Sequence, residues 1–294
     1  MFKSGKVTII GRPNVGKSTL LNALVKEKVC IVSQKPETTR DNIQGIISGE
    51  GFQVVFIDTP GMHRPKTLLG KSMVRKASST FMDADLILML IDAYSGITQE
   101  DIRILEQLPP NKTSFLIINK VDKIERRRVL PVIDRAQKYA FKEIIPISAS
   151  KEDGTDIVFK NILEYLPEGY PIFPDDQLSD KSEKFFVQEI MREKVLGLAY
   201  QEVPHSIAVS VEEMKEDKDQ KNNDTYYIRA IIYVERESQK GIIIGKNARM
   251  LKKISKESKK EIENFLRKKI SLDLWVKVYE NWRKDPFALK NLGY

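Results

Sequence analysis

Short apolar runs alternate with longer amphipathic stretches through the first half of the chain. The amphipathic stretches predict helices over Ser18–Val25, Lys71–Phe81, Gln99–Gln107, Val129–Tyr139 and Ile157–Leu166. The apolar runs between them have the length of strands whose two faces are both covered, namely Val7–Ile10, Val54–Ile57, Leu86–Ile91, Phe115–Ile118 and Ile144–Ile147. Ile43–Gly49 precedes a glycine-containing turn and predicts an edge strand. This order predicts an α/β fold with a doubly wound, mostly parallel sheet.

A proline-rich segment, Pro167–Asp176, interrupts this alternation and predicts a linker, because neither helix nor sheet tolerates that density of proline. The polar run Lys215–Asp224 predicts a solvated hairpin tip. The remaining pattern predicts, in order, a helix, two strands, two helices and a strand, over Ser182–Leu198, Ser206–Met214, Thr225–Glu235, Asn247–Lys256, Ser258–Lys269 and Ser271–Tyr279. We therefore divide the chain into a domain over 1–168, a linker over 169–181 and a smaller α+β domain over 182–294.

The first predicted strand leads into a phosphate-binding motif that opens the first predicted helix. Residues 11–18 match the pattern G-x-x-x-x-G-K-[ST], in which glycines let backbone amides converge on phosphate oxygens. Lys17 reaches the β- and γ-phosphates, and the Ser18 hydroxyl can ligate Mg²⁺. Taken alone, the motif could also be a glycine-rich turn with a surface lysine. The predicted contact residues are Gly11, Arg12, Pro13, Asn14, Val15, Gly16, Lys17, Ser18 and Thr19.

Three further polar motifs each follow a predicted strand: Asp58-Thr59-Pro60-Gly61, Asn119-Lys120-Val121-Asp122 and Ser148-Ala149-Ser150. Asp58 can hold a metal through water, and Gly61 can sense the γ-phosphate. The Asp122 carboxylate can accept hydrogen bonds from N1–H and the 2-amino group of guanine, a pair of donors that adenine lacks. Each motif alone could be a turn or a solvated loop. The four in order predict a guanine-nucleotide site.

These motifs resemble translation-factor-class GTPases of the Ras-like fold. The segment Thr38-Thr39-Arg40-Asp41 is similar to the switch segment of that class, whose threonine ligates Mg²⁺ and closes over the γ-phosphate. We assign that role to Thr39 rather than Thr38. The resemblance implies a Mg²⁺-dependent enzyme that hydrolyses GTP to GDP, with Lys17, Thr39 and Gly61 as catalytic residues and Ser18, Thr39 and Asp58 as metal ligands.

Met62 occupies the place after Gly61 where Ras-like enzymes carry a glutamine that orients the attacking water. A thioether cannot orient water, so we predict slow intrinsic turnover that depends on Lys17, Mg²⁺ and the loop amides. In some related GTPases the asparagine at the position of Asn14 ligates K⁺, so Asn14 is a candidate K⁺ ligand, and a loop-capping amide is the alternative. We interpret His63 as structural rather than as a general base.

The stretch from Gly241 to Ile254 resembles the core of a KH domain, in which a G-x-x-G loop between two helices clamps a nucleotide backbone. The predicted element order fits the type II arrangement. Here the loop ends in Ala248 instead of glycine, and we expect alanine to be tolerated at a helix N-terminus. A glycine-rich turn before a surface helix is the alternative. The predicted RNA contacts are Ile244, Gly245, Lys246, Asn247, Ala248, Arg249 and Lys252.

Charge favours an anionic partner, since the net charge is +8 and lysines crowd the segment 252–269. Nucleic acid and a membrane surface both fit that charge. The single cysteine, Cys30, cannot form an intramolecular disulfide, which agrees with a reducing cytoplasm. No apolar run approaches the length needed to cross a bilayer. We interpret Trp275 and Trp282 as core and docking residues rather than platforms for stacking bases.

Over its whole length the chain resembles the Era family of GTPases, through the motifs above, the Val203–Ser206 strand entry and the ending Leu292-Gly293-Tyr294. The resemblance implies a cytoplasmic, monomeric switch that binds small-subunit ribosomal RNA near its 3′ end during 30S subunit assembly, with peripheral contact to the inner face of the membrane. A membrane-surface adaptor, a GTP-dependent RNA-modifying enzyme and a phosphotransferase are the alternatives. The guanine motif argues against the phosphotransferase, and Cys30 as sole thiol gives the modifying enzyme no support.

Overall fold

A computed structural model describes residues 1–33, 35, 37–65, 67–199, 203–218 and 224–294. The chain divides into a first unit, residues 1–66 and 70–180, and a second unit, residues 67–69 and 181–294. Within these described ranges no helix is both long and apolar enough to span a bilayer.

The first unit is built on a six-stranded sheet with the strand order β2-β3-β1-β4-β5-β6. β2 pairs antiparallel with β3, and the other neighbours pair in parallel. The predicted doubly wound, mostly parallel sheet and its antiparallel edge strand are confirmed. The strands are β1 (Lys3–Gly11), β2 (Ile43–Gly49), β3 (Phe52–Asp58), β4 (Leu86–Asp92), β5 (Thr113–Asn119) and β6 (Glu143–Pro146).

Five helices accompany this sheet, and each overlaps a predicted one. They are α1 (Lys17–Val25), α2 (Leu68–Ser79), α3 (Gln99–Leu105), α4 (Leu130–Ala136) and α5 (Thr155–Tyr165). α2 begins three residues before its predicted start, and α4 is shorter than predicted at both ends. α3 begins at a capping box, in which the Thr98 and Asp101 side chains bond each other's backbone amides.

Parallel pairing brings the carboxyl ends of the strands to one edge of the sheet. β1 ends at Gly11 and the adjacent β3 at Asp58, while β5, two strands from β1, ends at Asn119, so the predicted phosphate, metal and guanine motifs all start from the same edge of the sheet. Ligands of open α/β sheets bind at this edge.

The predicted linker runs along the free edge of the first sheet. The backbone amide of Ile46 in β2 donates to the carbonyl of Leu178 (2.9 Å). The buried side chain of Gln53 accepts from the amides of Ile172 and Phe173 and donates to the Phe173 carbonyl. An edge strand has backbone groups without strand partners, and this segment satisfies some of them. The functional division into domains stays a prediction.

The second unit combines helices with the three-stranded sheet β7-β8-β9. β7 (Ala208–Lys218) pairs antiparallel with β8 (Asp224–Val234), and β9 (Ile270–Val278) pairs parallel with β8. Helices α6 (Glu183–Leu198), α7 (Glu237–Ile244) and α8 (Arg249–Leu266) pack on this sheet, and α9 (Pro286–Asn291) follows β9. The order α6-β7-β8-α7-α8-β9 confirms the α+β, type II KH arrangement.

Several boundary predictions in the second unit are wrong. Val203–Ser206 forms a 3₁₀ turn, and β7 begins only at Ala208. Lys215 to Lys218 belong to β7 rather than to a hairpin tip, because they keep strand register with β8. The Lys215 Nζ atom lies 5.5 Å from the centroid of the Tyr227 ring on β8. Asp224 already belongs to β8, and the rest of the predicted tip, 219–223, lies outside the described residues.

The two helices predicted over 247–256 and 258–269 are one helix, α8. Ser258 does not break it, because its side chain is fully buried within the helical face that packs inward. The helix that does precede the KH loop is α7, which the pattern missed because Gly241 and the β-branched Ile242–Ile244 have weak helix propensity.

The two tryptophans differ. Trp282 is fully buried, donates its indole N–H to the Ser206 carbonyl (3.0 Å) and stacks on Tyr294, so its predicted place in the core is confirmed. Trp275 is 55% exposed on β9, so it does not belong to the core, and its interpretation as a docking residue stays a prediction.

The KH loop contains consecutive left-handed residues. Asn247 has φ 53° and Ala248 has φ 57°, so Ala248 is not in the helical conformation in which alanine is favoured. The KH fold is kept with alanine at this position, as expected, but the residue is strained. A left-handed alanine costs about 1–2 kcal/mol.

Replacing Ala248 by glycine removes this strain. Glycine also gives the unfolded chain more conformational entropy, which lowers the free energy of unfolding by about 0.5–1 kcal/mol. We expect the free energy of unfolding of the second unit to stay unchanged or to rise by up to about 1 kcal/mol. Urea unfolding followed by circular dichroism measures it. The control Lys260→Gly, in the exposed part of α8, should lose about 1 kcal/mol. Equal losses in both variants would contradict the strain at Ala248.

Candidate functional site

The phosphate-loop motif connects β1 to α1 in a conformation that requires its glycines. Gly16 has φ 102°, and a Cβ there would lie 2.2 Å from the Asn119 side-chain nitrogen. The Lys17 ammonium donates to the carbonyls of Gly11 (3.2 Å) and Arg12 (3.0 Å), and the lysine is only 6% exposed. The loop therefore holds the lysine inward, at the place where a phosphate group would be bound.

Two of the predicted loop residues turn their side chains away from this centre. The Arg12 guanidinium donates to Asp101 (2.8 Å) and to the Ser95 hydroxyl (2.8 Å). Val15 is buried, and its carbonyl accepts a hydrogen bond from the side chain of Asn119. Both residues can contribute backbone groups to a ligand.

The three predicted metal ligands converge. The Ser18 hydroxyl donates to Asp58 Oδ2 (2.6 Å) and lies 2.9 Å from the Thr39 hydroxyl, which in turn lies 3.3 Å from the same carboxylate oxygen. Thr38 instead donates to the carbonyl of Lys35 (2.6 Å). The geometry favours Thr39 over Thr38 as the metal-binding threonine.

Asp58 has the properties of a metal-binding carboxylate. It is fully buried, and burial raises its pKa, an effect that the nearby Lys17 charge and the hydrogen bond from Ser18 oppose. Its Oδ1 atom has no hydrogen-bond partner among the described residues. A buried carboxylate beside two hydroxyls is a set of hard oxygen donors, which fits Mg²⁺.

Lys17 is the second buried charge of the site. Desolvation lowers its pKa to about 8, although the Asp58 charge acts in the opposite direction. A bound polyphosphate would compensate this desolvation because it supplies the negative charge that favours the protonated lysine.

The guanine motifs are joined by hydrogen bonds centred on Asn119. Its Oδ1 accepts from the amides of Lys120 (2.8 Å) and Ala149 (3.0 Å), while its Nδ2 donates to Val15 in the phosphate loop (2.8 Å). Lys120 extends its ammonium to the Asn14 carbonyl and to Asp92. The segments at the ends of β1, β5 and β6 are thus tied together.

The Asp122 carboxylate is positioned and ionised so that it can accept hydrogen bonds. The Ser148 hydroxyl donates to its Oδ1 (2.7 Å), and this bond is the main reason that the pKa of Asp122 lies below its usual value. The carboxylate is therefore ionised at neutral pH, and it is exposed to solvent. An ionised carboxylate is the acceptor that the two guanine donors require.

A cavity of about 620 Å³ connects the phosphate and guanine ends. Of the predicted contact residues, those that line it are Pro13, Asn14, Gly16, Lys17, Ser18, Thr19, Thr39, Gly61, Asn119, Lys120 and Ser150. Thr59 instead bonds the Ile9 carbonyl and, like the adjacent Pro60, is buried. Sequence analysis did not assign Ile31, Val32, Ser33, Glu37 and Lys123 to the lining. Their only sequence signal is proximity to Thr38 and Asp122.

The segment after β3 is held against the phosphate loop. A Cβ on Gly61 would lie 2.8 Å from Pro13, and the Met62 amide donates to the Gly11 carbonyl (3.1 Å). The Met62 side chain belongs to the hydrophobic core and is 3% exposed. It therefore does not enter the cavity where a water-orienting side chain would be needed.

His63 connects two segments of the site. Its Nδ1 lies 2.9 Å from the Gly61 carbonyl oxygen, and its Nε2 lies 3.5 Å from the Glu37 carboxylate. These contacts agree with its interpretation as a structural residue.

The second unit has a groove beside the KH loop. Lys246, Asn247 and Arg249 are exposed, and Ile244, Gly245 and Ala248 are half-buried. Next to them, a cavity of about 410 Å³ between α8 and β9 is lined by Leu251, Lys252, Ser255, Lys256, Lys259, Leu272 and Leu274. Of these only Lys252 was predicted. The signal for the others is the helical spacing of Lys252, Lys256 and Lys259.

An apolar floor with a rim of lysines suits single-stranded nucleic acid, because bases can contact the floor while phosphates pair with the lysines. Gly245 in the adjoining loop has no side chain that would keep a ligand away from its backbone.

Comparison with protein families gives two matches. Residues 6–120 match the family described as 50S ribosome-binding GTPase, and residues 202–283 match the KH domain family.

Relatives match over the full length. The chain is 50% identical to GTPase Era of Clostridium tetani and 46% identical to GTPase Era of Syntrophus aciditrophicus, covering 100% of this chain and 99% and 96% of those proteins. Two solved structures each have a TM-score of 0.96 and 43% identity, covering 100% of this chain and 99% of theirs. One is Era with MgGDPNP and nucleotides 1506–1542 of 16S ribosomal RNA, and the other is an Aquifex aeolicus Era variant with GDP and AlF4⁻.

The lowered pKa of Lys17 predicts a proton uptake on nucleotide binding. Near pH 9 the free lysine is mostly neutral, and phosphates favour its charged form, so GDP binding without Mg²⁺ should take up close to one proton, about 0.5–1. Near pH 7 Lys17 is already protonated, and its contribution should vanish. Calorimetry in buffers of different ionisation enthalpy measures the uptake.

The control for this experiment is Lys123→Gln, which removes another lysine of the cavity lining and should keep the uptake near pH 9. If Lys123→Gln took up no proton near pH 9, or if the unmodified chain took up none, the assignment of the proton uptake to Lys17 would be contradicted.

Proposed function

The chain belongs to the GTPase Era family, and we propose that it is a GTP-hydrolysing switch that binds small-subunit ribosomal RNA near its 3′ end and acts in 30S subunit assembly. The main support is that one chain carries both the guanine-nucleotide cavity and the basic groove beside the KH loop. The similar Era structure that holds MgGDPNP and a 16S ribosomal RNA fragment supports the same combination.

In this proposal the nucleotide lies across the cavity at the edge of the first sheet. Loop amides and Lys17 bind the phosphates, and Asp122, positioned by Ser148, accepts the guanine donors. Asn119 and Lys120 hold the two ends at a fixed separation. The proposed nucleotide-binding set is residues 11–19, Asp58, Thr59, Pro60, Gly61, Asn119, Lys120, Asp122, Ser148, Ala149 and Ser150.

Catalysis is assigned to Lys17, Thr39 and Gly61. Lys17 stabilises charge that develops on the phosphates, and the Thr39 hydroxyl and Gly61 amide fix the groups around the γ-phosphate. Ser18, Thr39 and Asp58 would hold Mg²⁺, which when bound neutralises negative charge on phosphate oxygens. Because Met62 is buried and apolar, no side chain at that position orients water, and slow intrinsic turnover follows.

Asn14 is proposed as a K⁺ ligand. It lines the cavity at the phosphate end and has a left-handed backbone, φ 64°, while its carbonyl accepts the Lys120 ammonium. A monovalent cation here would add positive charge near the phosphates, as an arginine finger does in other GTPases.

The RNA-binding role is assigned to the second unit. The loop residues Gly245, Lys246, Asn247 and Ala248 would contact the nucleotide backbone, with Ile244, Arg249 and Lys252 beside them. The groove adds Lys256 and Lys259 to the set. The corresponding domains are a GTPase domain over 1–168, a linker over 169–181 and an RNA-binding domain with its tail over 182–294.

The same proposal includes the surroundings of the protein. We place it in the cytoplasm as a monomer, with the 30S subunit as its target and peripheral contact to the inner face of the membrane. The support for membrane contact is only the basic surface, with a net charge of +8.

RNA binding should depend on the lysines of the groove. We expect Lys252→Gln/Lys256→Gln to reduce the slope of log affinity against log salt by about 1.4, since each single-strand phosphate contact contributes about 0.7. The ligand is a single-stranded fragment from the 3′ end of small-subunit ribosomal RNA, measured by filter binding with GDP and with a non-hydrolysable GTP analogue.

The matched control is Lys253→Gln/Lys260→Gln, which removes the same charge from α8 outside the groove lining. A scrambled RNA and anionic vesicles complete the set. Equal slopes for the two double variants, or equal affinity for both RNAs, would contradict the proposed RNA site. Vesicle binding without RNA binding would favour the membrane-surface alternative.

Turnover should depend on K⁺ through Asn14. Replacing K⁺ by Na⁺ at constant ionic strength should reduce the single-turnover rate of GTP hydrolysis by about tenfold or more, the scale of one lost electrostatic contact in a transition state. Asn14→Ala should abolish the difference between the two ions. A K⁺-independent rate in the unmodified chain would rule out this ligand.

A further inference from the structure

A second cavity in the first unit lies behind the segment that follows Gly61. Its volume is about 330 Å³, and Met62, Val74 and Ile104 provide its apolar side chains. Met62 and Ile104 are each 3% exposed and belong to the hydrophobic core. None of the three lines the nucleotide cavity. The volume lies at the lower end of the range for small-molecule sites, about 300–1,000 Å³.

Charged groups stand around this apolar surface. Arg64 and Arg103 line the cavity and are exposed, and Glu100 is the one carboxylate among its lining residues. Within the part of the chain that the structure describes, neither arginine has an ion-pair partner. Two guanidinium groups against one carboxylate leave a net positive charge, so the cavity is complementary to an apolar ligand with a single negative group. Guanidinium pairs with carboxylate through two parallel hydrogen bonds.

The cavity adjoins both segments that surround the phosphate end of the nucleotide site. His63 also lines it, and the same imidazole contacts the Gly61 carbonyl at 2.9 Å and the Glu37 carboxylate at 3.5 Å. Gly61 is packed against Pro13 so closely that it has no room for a side chain. The cavity is therefore connected through His63 to Gly61 and Glu37, which both line the nucleotide cavity.

We propose that this cavity binds a small organic carboxylate with an apolar body about the size of a phenyl ring, and that its occupancy is coupled to the bound nucleotide. The apolar body packs on Met62, Val74 and Ile104, and the carboxylate pairs with Arg64 and Arg103. Binding itself needs only the cavity, whereas the coupling rests on the proposed function.

The probe is 3-phenylpropionate, and the matched neutral probe is 3-phenylpropionamide. The full chain is labelled with ¹³C in the methyl groups of its 8 methionines, and the Met62 signal is assigned with Met62→Leu. We expect the carboxylate to shift the Met62 signal at millimolar concentration. The affinity of the amide should be lower by a factor of at least about five. Arg64→Gln and Arg103→Gln should each weaken the carboxylate by about threefold or more, the scale of a lost charge-assisted bond.

Two further variants complete the design. Arg135→Gln removes an exposed arginine of α4 and should leave the affinity unchanged. Val74→Phe fills the cavity and should abolish the shift without any change of charge. Absence of a Met62 shift, equal shifts with both probes, or an unchanged affinity in Arg64→Gln/Arg103→Gln would overturn the site.

Coupling is measured as the ratio of probe affinities with GDP and with a non-hydrolysable GTP analogue. We expect a ratio of about three or more, since linked sites commonly differ by about 5–150-fold. A ratio of one overturns the coupling. A titration of the chain with the probe in the absence of nucleotide separates the cavity proposal from the proposed function. If the chain failed to bind GTP, the proposed function would be contradicted, but the shift of the Met62 signal by the probe would remain.

Discussion

Two opposite charges, Lys17 and Asp58, are buried together at the carboxyl edge of the first sheet, and the nucleotide site is organised around them. Burial disfavours the charged form of each, which is why the pKa of the lysine falls and that of the carboxylate rises. Neither charge is satisfied by the protein alone: the ammonium bonds only two carbonyls in the described structure, and one carboxylate oxygen has no partner there. A bound phosphate would favour the charged form of the lysine, and a divalent cation would favour the charged form of the carboxylate.

Asn119 gives this site its rigidity. One side chain bonds the phosphate loop, its own following backbone and the segment after β6, so three chain segments share one amide group. Gly16 is required beside it because a methyl group would overlap the amide nitrogen. In the proposed site, the segments that would recognise guanine and bind phosphate are therefore positioned by the same residue, and substituting Asn119 should affect both.

Sequence could predict which residues meet at this cavity because their motifs fix backbone conformations and donor atoms within a few consecutive residues. It could not predict the direction of the Arg12 side chain, which depends on Asp101, 89 residues further along the chain. It missed α7 because local propensity opposes the helix there. It also missed Leu272 and Leu274, because an apolar residue that lines a groove has the same strand periodicity as one in the core. Whether an aromatic residue of a strand is buried also depends on tertiary contacts, as the exposed Trp275 shows.

The segment that follows α5 does more than connect the two units. By bonding β2 through the Leu178 carbonyl and the Asp180 carboxylate, it covers a strand edge that would otherwise be open to pairing with another chain. A fragment that ends at residue 168 loses this protection, whereas one that ends after residue 180 keeps it. The stretch thus acts against edge-to-edge aggregation, and the compact first unit extends 15 residues beyond the end of α5 at Tyr165 and 12 residues beyond the predicted boundary at residue 168.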